Sequence, residues 1–112
     1  MPEYVHKKGI VYKNQFHVVF CPKYRRKVLV DGVEARLREI LNEEADSLGV
    51  ETKALEVMPG HVHIFIECGP RIVLHKVIKQ FKGVSSRKLR NEYPWLKSVD
   101  KKLFFLHRWT HK

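Results

Sequence analysis

The chain has 112 residues, 44% hydrophobic and 30% charged, which suffices for one domain around a single core and falls short of two. That balance excludes a disordered tail, no apolar run reaches the length of a bilayer span, and the N-terminal Met-Pro-Glu-Tyr-Val-His-Lys-Lys lacks a signal-peptide apolar core, so a cytoplasmic protein is expected. The 22 basic against 12 acidic residues, net +10, favour a polyanionic partner without choosing between DNA, RNA and the ribosome.

Residues 11–21, Val-Tyr-Lys-Asn-Gln-Phe-His-Val-Val-Phe-Cys, are rich in β-branched and aromatic side chains and stop at Pro22, as a strand does. A strongly basic loop, Lys23-Tyr24-Arg25-Arg26-Lys27, follows. Asp31 with Glu34 three positions on resembles a capping box. Val33, Leu37, Ile40, Leu41 and Leu48 then recur at helical spacing until Gly49, predicting an amphipathic helix. Val50–Val57 reads as a second strand whose alternation changes phase between Ala54 and Leu55, the mark of a bulge. Met58-Pro59-Gly60 makes a turn into a third strand, His61–Cys68. Here Val62, Ile64, Ile66 and Cys68 point one way, and His61, His63, Phe65 and Glu67 the other.

Gly69-Pro70 closes that strand, and positions 72–93 form a second helix, weakened or bent near Gly83 and Ser85-Ser86. Its apolar side is Leu74, Val77, Ile78, Phe81, Val84 and Leu89, and Lys76, Lys79, Arg87 and Arg90 cluster opposite. Pro94 ends it. Leu103–Trp109 is apolar and aromatic enough for a fourth strand, with imperfect alternation. The order strand, helix, strand, strand, helix, strand predicts an α+β, ferredoxin-like split βαβ domain over 1–112, an antiparallel sheet with both helices on one face. Such a fold hosts many functions and settles none.

Charge is segregated along this pattern. Residues 33–48 hold five acids, Glu34, Glu39, Glu43, Glu44 and Asp46, against Arg36 and Arg38, whereas 71–92 hold seven bases against Glu92. The basic helix side and the 23–27 loop together are the expected phosphate surface, with Lys23, Arg25, Arg26, Lys76, Lys79, Arg87 and Arg90 as contacts. A merely solvated helix face is the alternative. Tyr24 and Trp95 are candidates for base stacking, against ordinary lid packing. Cys21 and Cys68 lie far apart in no metal or redox spacing and read as buried reduced thiols.

His61 and His63, two apart on one strand, stand roughly 6.5–7 Å apart at Cα, which lets both imidazoles converge on one cation. Imidazole suits Mn, Zn or Ni, and Mg less readily. Two partly exposed histidines on an open sheet face are the bland alternative. No third ligand is evident: Glu56 and Glu67 are the nearest carboxylates and read as solvated charges. His6, His17, His75, His107 and His111 have no ligand spacing to the pair, and His17 reads as a strand residue with structural hydrogen bonds. Ser85, Ser86 and Ser98 stand in no nucleophile-elbow context, and no glycine-rich phosphate loop is present.

Three blocks, Phe16-His17-Val18-Val19-Phe20-Cys21-Pro22-Lys23-Tyr24-Arg25-Arg26-Lys27-Val28-Leu29, Met58-Pro59-Gly60-His61-Val62-His63-Ile64-Phe65-Ile66 and Phe81-Lys82-Gly83-Val84-Ser85-Ser86-Arg87-Lys88-Leu89, resemble in order and separation the single-tyrosine HUH transposases of IS200/IS605 insertion sequences. The resemblance implies a homodimeric strand transferase that binds hairpin single-stranded DNA and cuts it. His61 and His63 would hold a divalent cation, Mg or Mn, and a tyrosine would form a 5′-phosphotyrosine link. The family carries that tyrosine, with a glutamine that completes the metal site, on a helix after the fourth strand, and this sequence ends at Lys112 before any such helix. Tyr4, Tyr12, Tyr24 and Tyr93 do not match it, so the catalytic tyrosine is unassigned. The stretch Leu103–Lys112 also departs from the family's aromatic strand and glycine-bearing continuation, as a truncated or frameshifted end would. Gly60 stands where an acidic or amide residue is common. A non-catalytic nucleic-acid-binding module, an inactivated remnant, and a metal-dependent nuclease using water as nucleophile are the other readings.

Overall fold

The computed structural model describes residues 14–98 and 103–111. Six main elements follow in the expected order: β1 (Asn14–Pro22), α1 (Val33–Leu48), β2 (Glu51–Met58), β3 (His61–Cys68), α2 (Leu74–Glu92) and β4 (Phe104–His111). The sheet runs β2-β3-β1-β4 with every neighbouring pair antiparallel, the strand order of a ferredoxin-like fold. One face is covered by both helices. There Val18 and Phe20 of β1, Val62, Ile64 and Ile66 of β3, Leu37, Ile40 and Leu41 of α1, and Phe81 and Leu89 of α2 are fully buried in a single cluster. Each such side chain contributes about 1.5–3 kcal/mol by leaving water. The opposite face carries the odd-numbered residues of β1 and β3 and is called the open face below.

The helix faces and β3 match their sequence patterns, and the differences lie at ends and irregularities. Of the first predicted strand, Val11–Lys13 lie outside the described residues. The capping box is not formed. Asp31 (φ 55°) and Gly32 (φ 94°) both take the left-handed conformation, with Val33 N–H donating to the Val30 carbonyl, so the N-cap falls on Gly32 and not on Asp31. Glu34 still reaches back, accepting from the Gly32 N–H at 3.2 Å. At the other end Gly49 (φ 71°) closes α1 in the left-handed cap its type favours.

The phase change in β2 is real and sits slightly earlier than predicted, with the register slipping between Thr52 and Ala54. Helix α2 is two residues shorter than expected at its start and one at its end, and it runs unbroken through Gly83. Ser85 is buried without interrupting it, because its hydroxyl donates back to the carbonyls of Phe81 and, at 3.3 Å, Lys82. The two helices are also tied by polar contacts. Arg36 of α1 grips Glu92 of α2 in a two-pronged contact at 2.7 and 3.1 Å, and Gln80 donates to Glu44 at 3.0 Å. Cys21 and Cys68 are both free and buried, as expected. Burial and the neighbouring Glu67 push the Cys68 thiol above its ordinary pKa. Among the described residues, no helix is long and apolar enough to cross a membrane.

Candidate metal and phosphate site

Because Val62 and Ile64 are drawn into the core, the strand pleat forces His61 and His63 onto the open face, where both are half-buried. Their rings lie 5.0 Å apart between centroids, with planes at 71°. Cross-strand neighbours complete the surroundings: His63 is in register with Val19 on β1 and with Glu56 on β2. One step along β1, His17 stacks on His63 at 5.1 Å, with its Nε2 3.0 Å from His63 Nδ1. His17 is thus the hydrogen-bonded strand residue the sequence suggests, and its partner is a candidate ligand.

One of those two nitrogens must donate and the other accept. If His63 offers its Nε2 lone pair outward, its Nδ1 carries the proton and His17 Nε2 accepts it. Burial, followed by the proximity of His61 and His17, holds His63 below the ordinary imidazole pKa. Glu56 opposes that shift, and Arg108 adds to it. His63 therefore resists protonation.

The pocket in front of the pair is built from a second irregularity. Between Val19 and Phe20 of β1 the pairing with β4 slips by one residue, from Arg108 to Leu106, leaving His107 as the extra residue of a bulge. Phe104 and Leu106 pair with the core-facing Pro22 and Phe20, whereas Arg108 pairs with the open-face Val19, so the bulge changes the facing of everything after it. His107 and Arg108, adjacent in sequence, consequently line the same open-face cavity of about 170 Å³ together with Val19, Cys21, Arg25, His61 and His63. The imperfect alternation of the fourth strand was the one sequence signal for this, since a strand that breaks phase at a His-Arg pair turns both toward one side.

Arg25 arrives from the other end of β1. Lys23–Arg25 make a single 3-10 turn in which Tyr24 (φ 58°) and Arg25 (φ 54°) are both left-handed, a conformation uncommon for side-chain-bearing residues. The turn abuts Gly60, where an added Cβ would sit 2.8 Å from the Arg25 carbonyl oxygen. Arg25 Nη2 lies 3.2 Å from His107 Nε2. A guanidinium can only donate, so His107 Nε2 accepts and its proton resides on Nδ1.

The other predicted site residues separate into groups. Glu67 is not the solvated charge expected: it is 4% exposed and accepts from Gln15 Nε2 at 2.6 Å, four residues along β3 from His63. Burial is possible because the amide supplies a hydrogen-bond partner. Glu56 is exposed beside His63. Among the described residues, no three His, Cys, Asp or Glu side chains are grouped to hold a metal ion. His75 packs edge-on to Trp109, His111 contacts Asn14 at 3.3 Å, and His6 lies outside the described residues, as do Tyr4 and Tyr12. Tyr24 is 80% exposed, with the Lys23 ammonium 5.2 Å from its ring centre, and Trp95 is half-exposed.

The basic residues expected to share one surface fall in two places. Lys79, Arg87 and Arg90 of α2, joined by Lys82, Gly83 and Ser86, line a groove of about 450 Å³ that reaches Phe104. Lys76 is exposed one turn before it and does not line it. That groove belongs to the helix layer, whereas Arg25 lies at the histidine cavity on the open face; the sheet separates them, which a linear reading of charge does not reveal.

The family described as "Transposase IS200 like" matches residues 10–112. This chain belongs to the IS200-like transposase family. It is 39% identical to the ISDra2 transposase TnpA of Deinococcus radiodurans over 90 residues, covering 80% of this chain and 64% of that protein. It is 28% identical to the transposase of insertion sequence element IS200 of Salmonella typhimurium over 83 residues, covering 74% of this chain and 55% of the relative. The chain thus spans about three-fifths of the length of these IS200-like transposases. Among solved structures, a candidate transposase from D. radiodurans R1 superposes with a TM-score of 0.83 at 36% identity, covering 94% of this chain and 82% of that one. A REP-associated tyrosine transposase bound to a REP hairpin shares the fold, with a TM-score of 0.63 at 17% identity, covering 100% of this chain and 61% of that one.

Proposed function

We propose that this IS200-type transposase chain binds hairpin single-stranded DNA and holds, at His61 and His63, the divalent cation used in DNA strand transfer. The observation that carries the reading is the convergence on one sheet face of the two imidazoles, the His17 contact that orients one of them, and the Arg25–His107 pair. The REP-associated relative on the same fold was solved with a DNA hairpin. The donor set fits two positions of a divalent ion. Both are imidazoles, which suit Mn better than Mg, and phosphate oxygens and water are needed for the rest. Bound there, the ion would polarise a phosphoryl oxygen. The chain's own residues do the remaining work: His17 fixes the His63 tautomer, and Arg25 at the histidine cavity, Lys23 and Arg26 in the same loop, and Lys76, Lys79, Arg87 and Arg90 on α2 neutralise phosphates. Assembly as a homodimer belongs to the same reading and is checked by light scattering.

Titration calorimetry with MnCl₂ tests the ligand assignment. The wild-type chain is expected to bind one ion, and the His61→Ala, His63→Ala double variant to bind none; unchanged affinity in the double variant defeats the assignment. Fluorescence anisotropy with a labelled hairpin oligonucleotide tests the DNA partner, and a duplex of equal length binding as tightly would count against hairpin recognition. A non-catalytic nucleic-acid-binding module is the second reading, favoured by one observation: among the described residues, no tyrosine lines the histidine cavity. Incubating the labelled hairpin with protein and Mn²⁺ separates the possibilities on a denaturing gel. A covalent adduct supports phosphotyrosine chemistry, free cleaved ends indicate water as nucleophile, and intact DNA favours the binding module.

A further inference from the structure

We propose that Arg25, His107 and Arg108 form a phosphodiester clamp that seats one phosphate of single-stranded DNA against His61 and His63. This rests on the nucleic-acid reading above and adds to it a specific place, a specific phosphate and two residues that charge patterning in the sequence did not mark.

Three independent features converge on the clamp. The β4 bulge turns two successive residues, His107 and Arg108, to the open face, where a regular strand would present only one. Bulges of this kind re-aim side chains beside functional sites. The left-handed pair Tyr24–Arg25 brings the Arg25 guanidinium to His107 from a loop 82 positions away. Two consecutive side-chain-bearing residues in that conformation are uncommon and strained, and the turn is fitted against Gly60, where no side chain obstructs it. Finally, the cavity is lined by two guanidiniums and three imidazoles, and no carboxylate is among its lining residues. Glu56 faces His63 from β2 and lies outside it.

Two arginines in a concavity without a counter-charge repel one another unless an anion joins them. A phosphate is the anion whose geometry the guanidinium fork matches. The volume, about 170 Å³, equals several waters at roughly 30 Å³ each, enough for a phosphate group with part of its hydration. The His107 contact leaves one edge of the Arg25 guanidinium for that purpose. His107 acts as a positioning residue: it holds Arg25 and is not itself required to touch the phosphate.

The test compares Arg25→Gln, Arg108→Gln, His107→Phe and, as a distant exposed cation, Arg71→Gln, all in the full chain and with unfolding midpoints measured first. Affinity for the labelled hairpin is followed over a salt series, and inorganic phosphate is titrated while backbone amide shifts are recorded. R25Q and R108Q are each expected to weaken hairpin binding about tenfold or more and to reduce the salt slope by about 0.7–1. R71Q should change both far less. H107F should weaken binding with little change in slope when charge is conserved, and Arg108→Lys should recover the slope more fully than the affinity. Phosphate should shift the amides of Arg25, His107 and Arg108. Wild-type affinity and slope in R108Q, or equal losses in R71Q, overturn the clamp. If the hairpin does not bind the wild type at all, the nucleic-acid reading fails. Phosphate shifts confined to residues 25, 107 and 108 would then retain the clamp as an anion site, and absence of shifts there would remove it as well.

Discussion

Replacing Gly60 by alanine should destabilise the protein, although glycine-to-alanine changes at compatible positions usually stabilise. Gly60 does not have a positive φ, so alanine meets no backbone penalty, and a stiffer unfolded chain would favour folding by about 0.4–1 kcal/mol. Against this stands a steric cost. The new Cβ would lie 2.8 Å from the Arg25 carbonyl oxygen, where carbon and oxygen ordinarily approach to about 3.3 Å or more, so roughly half an ångström must be found. The obstructing atom is backbone. Its loop is fixed by Arg26 N–H to Lys23 O at 3.3 Å, Val28 N–H to Arg26 O at 2.9 Å and Leu29 N–H to Pro59 O at 3.1 Å, and its left-handed residues have little conformational room. Overpacking against such a segment costs about 1–3 kcal/mol, and the middle of that range less the middle of the gain leaves a net loss of about 1.3 kcal/mol. In urea that lowers the midpoint by roughly 0.5–1 M at an ordinary denaturant slope. Hairpin affinity should fall as well, because Arg25 moves with the loop. A G60A midpoint equal to or above wild type would refute the reasoning, since the loop would then yield freely and the approach of Arg25 would not depend on an absent side chain.

Other expectations follow from individual contacts. His17→Phe keeps a stacked ring but removes the acceptor for His63 Nδ1; Mn²⁺ affinity should fall by about 10–100-fold in calorimetry, and the tautomer reading fails if it does not change. Truncating the fully buried Ile64 to alanine should cost about 2–5 kcal/mol in urea unfolding, and a loss below 1 kcal/mol would contradict a close-packed sheet–helix interface. The hydrogen bond from Arg36 holds Glu92 below the ordinary carboxylate pKa, so the folded state binds its proton more weakly than the unfolded state. That contribution is complete above about pH 4.5 and is lost as the pH falls through the depressed value. Glu92→Gln should flatten the acid limb of the stability profile, and an unchanged limb would show the pair to be energetically silent. Cys68 should react with a thiol reagent only on the timescale of unfolding, as its burial and raised pKa both oppose attack; reaction at the rate of a free thiol would place it at the surface.

Much of the fold was legible because it depends on short-range periodicity. The two-residue alternation of His61–Cys68 placed Val62, Ile64 and Ile66 in the core, and the helical repeats of α1 and α2 identified their buried faces. The same alternation put His61 and His63 on one face. What the sequence withheld depends on pairing register. Nothing in the spacing of residues 17 and 63 shows that their rings stack, or that residue 25 meets residue 107. Glu67 misled for a related reason: whether a strand carboxylate is solvated depends on its cross-strand partner, here Gln15, whose position follows only from the β1–β3 register. The basic residues read as one surface in the sequence, but a linear charge count cannot tell which side of a sheet each will occupy.

The extra residue in β4 gives one strand two allegiances. Its first half supplies Phe104 and Leu106 to the hydrophobic layer, and its second half sends Arg108 to the histidines while Trp109 turns back toward His75 on α2. Excising His107 would leave the hydrogen-bond ladder easier to form, since the mismatch would vanish. The pairs on either side would be kept, Leu106 with Phe20 and Arg108 with Val19, so the guanidinium would stay beside the histidines and only the His107 contact to Arg25 would be lost. Straightening the strand with His107 kept is the damaging case: His107 would pair with Val19 and Arg108 with the core-facing Val18, exchanging the chemical identities of the two faces while preserving the backbone that carries them.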